Sequence, residues 1–79
     1  MIIHYVHSED PRTGGVLEAA KMLSHALNEQ GINSELCFDR HLKDNQTLTI
    51  AHGLWQWPGS LARKIYRRKG IPYLPFPHG

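Results

Sequence analysis

A second cysteine is missing from this 79-residue chain, so Cys37 has no partner for an internal disulfide. That absence points to a reducing compartment, and the cytoplasm is expected. Cys37 lies in an apolar, strand-like run and is expected to be a small core residue rather than a nucleophile. Long apolar runs are absent too: nothing approaches the ~18–20 residues that cross a bilayer. Met1-Ile2-Ile3 is interrupted by His4 and followed by no small-residue cleavage site, so a signal peptide is not expected. The six histidines show neither H-x3-H nor H-E-x-x-H spacing. With only one thiol beside them, neither a metal site nor a cofactor is expected. Internal repeats, low-complexity tracts and inter-domain linkers are lacking as well, which leaves a single unit.

Length sets the next bound. A chain this short buries only roughly 60% of its unfolded surface. A parallel sheet normally needs more material to cover both of its faces. The chain is expected to be part of something larger, with a minimal α/β unit as the alternative.

The formal charge of +2 conceals an asymmetry. Arg63, Lys64, Arg67, Arg68 and Lys69 supply five of the nine cations, leaving four cations against seven acids elsewhere, a balance of −3. A basic face of that kind can meet phosphate or an anionic membrane surface, or stand as a solvated helix face suited to a helix C-terminus. Peripheral contact with the inner membrane through Arg63, Lys64, Arg67 and Arg68 is one expectation; a nucleic-acid partner is not expected.

Ile2 to His7 is a continuous apolar run rich in β-formers, as a strand covered on both faces should be. After the polar loop and Gly14-Gly15, residues Val16 to Gln30 read as a helix. Val16, Ala19, Ala20, Leu23, Ala26 and Leu27 form its apolar stripe, and Gly31 is placed to end it in a left-handed cap. Asn33 to Phe38 is a second strand, which completes a βαβ unit. Asp39 to Gln46 is polar and aperiodic and reads as a surface loop. Thr47 to Ala51 is a third strand. His52 to Trp57 forms a loop, and Pro58 suits the first turn of a helix from about Gly59 to Lys69. Ile71 to Phe76 is a fourth strand in which Pro75 argues against a central position. The expected fold is α/β: a partial Rossmann-like three-layer unit with four short parallel strands, order 2-1-3-4, and two main helices.

In that order the sequence direction reverses between the first and third strands, and ligands of open α/β sheets lie beyond the carboxyl ends at such a reversal. Ser8 to Gly15, His52 to Trp57 and Pro77-His78-Gly79 all fall at those ends. Paired glycines at a helix start let backbone N–H groups approach an anion, although the same pair also serves plain turns. His52 and His78 each end a strand and precede a glycine, so imidazole there can bond a sugar hydroxyl or steady a leaving phosphate. His4 and His7 are expected to be packed and hydrogen-bonded, and His25 and His41 to be surface residues. Trp55 and Trp57 either stack on a sugar or pack against the second helix, and burial is expected for at least one.

The turn PRTGGV with the helix VLEAAKMLSHALNEQG, followed by AHGLWQWPGSLARKIYRRKGIPYLPFPHG, resembles the amino-terminal domain of GT-B-fold glycosyltransferases of the subfamily 4-like, or group 1, type. The resemblance covers nearly the whole chain except Asp39 to Leu48. It implies retaining transfer of a sugar from a nucleotide-sugar to a glycan or other acceptor. By the same likeness Gly14 and Gly15 would approach the donor diphosphate, and His78 would stand near the transferred sugar as the catalytic position. His52, with Gly53 and Trp55, would form the acceptor or sugar rim. The family's amino-terminal domain is longer than this chain, its carboxy-terminal donor-binding domain is a separate lobe, and Pro75 and Phe76 replace its usual aliphatic and small residues. The chain alone is therefore expected not to catalyse transfer at a useful rate, because orientation and water exclusion need both lobes. Two other readings stand beside this one: a non-catalytic nucleotide-, phosphate- or sugar-binding module, and an interaction fragment that uses the basic helix and open sheet edges to join a second lobe or another copy.

Overall fold

A computed structural model describes residues 1–7, 15–53 and 57–76. Strand β1 (Ile2–Val6) leads to helix α1 (Val16–Glu29) and strand β2 (Ser34–Cys37); strand β3 (Leu48–His52), helix α2 (Trp57–Lys69) and strand β4 (Tyr73–Phe76) follow. The four strands form one parallel sheet in the order β2-β1-β3-β4. This is the doubly wound α/β arrangement anticipated from the order of apolar runs.

Alternation along β1 assigns the two faces. Ile3 and Tyr5 are fully buried with Ile65 of α2, and Leu61 packs against them. Val6, one step along, packs instead with Leu17 and Ala20 of α1. Successive side chains of a strand point to opposite faces, so the helices cover opposite sides of the sheet. The β1–α1–β2 unit moves one way across the sheet and β3–α2–β4 the other, and crossovers of one hand then place their helices on opposite faces.

Helix α1 starts where its apolar stripe does, but the stripe is rotated from its expected position. The buried residues are Leu17, Ala20 and Ser24, whereas Ala26 is exposed. Ser24 belongs inside because its hydroxyl finds a buried partner, Ser34 Oγ, at 2.9 Å. Gly31 closes the helix at φ +81°. Its N–H bonds the Asn28 carbonyl at 3.0 Å, and Ile32 N–H bonds that of Leu27 at 2.9 Å, the paired pattern of a left-handed C-cap.

The ends of the sheet obey the chemistry of their residues. Pro75 lies on β4, an edge strand, opposite Ala51, where a missing N–H breaks no further ladder. On the other edge the Asn28 amide grips Ser34 of β2 from both sides, donating to its carbonyl at 3.0 Å and accepting from its N–H at 2.9 Å. A side chain thus stands in for the neighbouring strand that an edge lacks. Helix α2 begins at Trp57, two residues before the expected start, with Pro58 inside the first turn where its missing N–H is harmless.

The segment between β2 and β3 is tied down more firmly than a solvated loop would be. Gln46 is buried, and its Oε1 accepts from Lys43 N–H at 3.1 Å. Its amide donates to Thr49 Oγ1 at 2.7 Å. Tyr5 OH donates to the His41 carbonyl at 2.7 Å and lies 3.0 Å from Gln46 Oε1. Burial pushes the Tyr5 phenol up to about 12. Cys37 is buried as expected of a core thiol, and desolvation raises its pKa.

Candidate functional site

The carboxyl ends of parallel strands share one edge of the sheet, and the direction of the strand order reverses between β1 and β3. There Val6 stands opposite His52. The chain enters α1 through Gly15 and leaves β3 through Gly53, so both glycines belong to this edge. Gly15 is exposed, has φ −80° and receives no side-chain cap; a Cβ built on it meets nothing within 4 Å. Neither backbone nor packing requires a glycine there. The space beside the first turn of α1 is open at this position.

Gly53 differs. Its φ is +95°, a conformation that disfavours any side chain, and it is buried. Its N–H donates to the Phe76 carbonyl at 3.0 Å. That donor fastens β3 to β4 and is used within the sheet.

His52 reaches the edge by sequence position, but its ring turns inward. It is fully buried, its Nε2 lies 3.1 Å from His4 Nδ1, and its ring meets Phe76 edge-on with centroids 5.3 Å apart. The bond continues from His4 Nε2 to Ser34 Oγ at 2.6 Å and on to Ser24 Oγ at 2.9 Å. A buried polar chain thus runs from β3 through β1 and β2 into α1. Burial lowers the His4 pKa from 6.5 to about 4, so the ring is neutral at physiological pH. His4 is packed and hydrogen-bonded, as its place in a two-faced strand implies.

His7, one residue beyond β1, is half-buried, and its Nδ1 is shielded from solvent with no hydrogen-bond partner among the described residues. Sequence reasoning expected it to be satisfied within the fold. Among the described residues, this leaves a shielded polar atom without a partner at the strand-order reversal. The available signal was its position between a strand end and a diglycine turn.

Two further histidines are surface groups: His25 is exposed beside Glu29 at 2.9 Å, and His41 is exposed. Trp57, the first residue of α2, is half-buried and meets Tyr5 edge-on at 6.2 Å. Gly14, Trp55 and His78 lie outside the described residues. Among the described residues no group of three or more His, Cys, Asp or Glu side chains gathers as metal ligands would. Among them, also, no helix is long and apolar enough to cross a membrane.

Fold and edge define an open, doubly wound α/β unit with a candidate ligand rim at its strand-order reversal. Comparison with family models, with curated proteins and with solved structures finds no significant match.

Proposed function

We propose that the chain supplies the acceptor-side half of a glycosyltransferase site, of the retaining kind that draws its sugar from a nucleotide-sugar. The observation that carries this reading is the Nδ1 of His7, buried without a partner among the described residues at the β1–β3 reversal, on the same edge as Gly15 with its open surroundings. In this assignment Gly14 and Gly15 receive the donor diphosphate, and His7 bonds a hydroxyl or phosphate oxygen. His78 stands beside the transferred sugar, and Trp55 forms part of the rim. His52 has a changed part: buried against His4, it positions the start of the β3–α2 connection rather than touching the acceptor. Transfer itself needs a facing lobe to orient both substrates and exclude water.

Calorimetry with UDP-glucose, GDP-mannose and free glucose tests this proposal. Heat is expected from at least one nucleotide-sugar, weakened at least tenfold by His7→Ala, and no turnover of labelled donor by the chain alone. Silence with both nucleotide-sugars would remove the reading. Binding of the bare nucleotide as tightly as its sugar conjugate would leave a nucleotide-binding module.

The basic face of α2 favours a second reading, peripheral contact with an anionic membrane. Arg63, Lys64, Arg67 and Arg68 are all exposed and, with Ser60, line a groove of about 350 Å³. Clusters of this size on one helix face are drawn to anionic lipid at ~1 kcal/mol per cation near the surface. Co-sedimentation with phosphatidylglycerol vesicles, lost at high salt, is the expected result.

A further inference from the structure

We propose that the cleft between the β2–β3 segment and α2 is a binding site for an organic phosphate that carries an apolar arm. The cleft has a volume of about 210 Å³, and its walls divide by chemistry. Leu42, Leu61 and Ile65 provide apolar surface, while Arg40, Lys64, Arg68 and Lys69 supply cations and no acid lines it. Leu42 is 41% exposed, a large aliphatic side chain left open at the cleft.

Among the described residues the cations have no ion-pair partner. Helix α2 has no acidic residue along its length, so neither Lys64 nor Arg68 has an intrahelical partner. The ion pairs among the described residues, His25–Glu29 and Lys43–Asp39, use none of the cleft cations. Asp39, next to Arg40 in sequence, accepts from Cys37 Sγ, His41 N–H and Lys43 Nζ instead. Arg40 is held by an aromatic face, its guanidinium carbon 5.3 Å from the Trp57 ring centroid. Stacking orients the fork without consuming its N–H donors, which stay available to an anion.

A bare anion would leave the apolar floor unused, and a neutral hydrocarbon would leave the cations unpaired. An amphiphile satisfies both, with its phosphate among Arg40, Lys64, Arg68 and Lys69 and a short aliphatic arm over Leu42, Leu61 and Ile65. The volume falls below the ~300 Å³ at which pockets begin to enclose a whole drug-sized ligand. The cleft therefore takes an arm and a head group, which a soluble alkyl phosphate or the head of an anionic lipid can both present. None of Gly15, His7 and His52 takes part, so this site stands apart from the glycosyltransferase reading.

Calorimetric titration of the chain with inorganic phosphate, butyl phosphate and hexyl phosphate tests the site, with vesicles of phosphatidylcholine and phosphatidylglycerol as a separate arm. Affinity should rise roughly fourfold per seated methylene, making hexyl phosphate more than tenfold tighter than inorganic phosphate. Lys64→Ala with Arg68→Ala should weaken hexyl phosphate at least tenfold, and Arg68→Gln alone should weaken it in the same direction. Leu42→Ser should flatten the chain-length dependence and leave inorganic phosphate binding unchanged. Lys21→Ala, exposed on α1 across the sheet from the cleft, should change nothing, and circular dichroism should show every variant folded. Vesicles that compete with hexyl phosphate would support the site with a lipid source; hexyl phosphate binding without vesicle binding would support it with a soluble one. Equal affinity for inorganic and hexyl phosphate, or an equal loss in Lys21→Ala, would overturn it. So would vesicle binding with none to hexyl phosphate.

Discussion

His4 and His52 lie 48 positions apart in the chain and share one hydrogen bond, 3.1 Å from Nδ1 to Nε2, with rings stacked at 5.4 Å and 22°. The register makes them diagonal neighbours on one face, since His4 pairs with Ile50 and Val6 with His52. Only one of the two facing nitrogens can carry the proton, so the tautomers of the rings are coupled. Ser34 and Ser24 extend the same chain and orient with it.

The first prediction concerns acid. The folded pKa of His4, about 4, lies below its ordinary 6.5. A depressed histidine pKa means that the unfolded chain binds the proton more readily. The stability tied to neutral His4 is therefore complete above pH 6.5 and is lost as pH falls through about 4. One proton gives a slope of up to ~1.4 kcal/mol per pH unit in that window. Urea melts between pH 4 and 8 should show it, and His4→Gln should reduce the slope while lowering stability at neutral pH.

Ser34 is the junction of the buried chain, contacting His4 Nε2 at 2.6 Å and Ser24 Oγ at 2.9 Å. Ser34→Ala strands both neighbours away from water. It should cost about 1–3 kcal/mol in denaturant unfolding. Because the groups act together, adding Ser24→Ala should cost less than the sum of the two single changes.

Gly15 separates folding from binding. With φ −80° and open space around the missing Cβ, Gly15→Ala should leave stability within ~0.5 kcal/mol. Nucleotide-sugar binding should weaken, because the added methyl occupies the approach to the first turn of α1. An unchanged binding isotherm would remove Gly15 from the donor site.

Leu74 is 48% exposed on edge strand β4, beside Pro75. An apolar side chain on an unpaired edge favours association with another copy. Light scattering should detect oligomers at high concentration, and Leu74→Lys should reduce them with little change in the unfolding midpoint. A monomer at all concentrations in the native chain would contradict this prediction.

The element order, the parallel sheet and the edge position of β4 were legible in the residues. Gly31, the α1 stripe and Pro75 each act locally, through backbone conformation, three- and four-residue periodicity or a missing donor. The burial of Ser24 was not legible in the same way: a hydroxyl reads as polar until its partner, Ser34 ten residues on, is brought against it by the crossover.

The inward turn of His52 belongs to another order of information. A strand covered on both faces is apolar on both, so its sequence does not say which way any one ring points. Local propensity along the chain determined that a parallel α/β unit forms and which segments end at its rim. Strand register and helix placement alone decided that His52 faces His4, that His7 Nδ1 finds no partner among the described residues, and that Arg40 and Leu42 meet the cations of α2. These are contacts between segments dozens of residues apart, and they exist only once the sheet has closed.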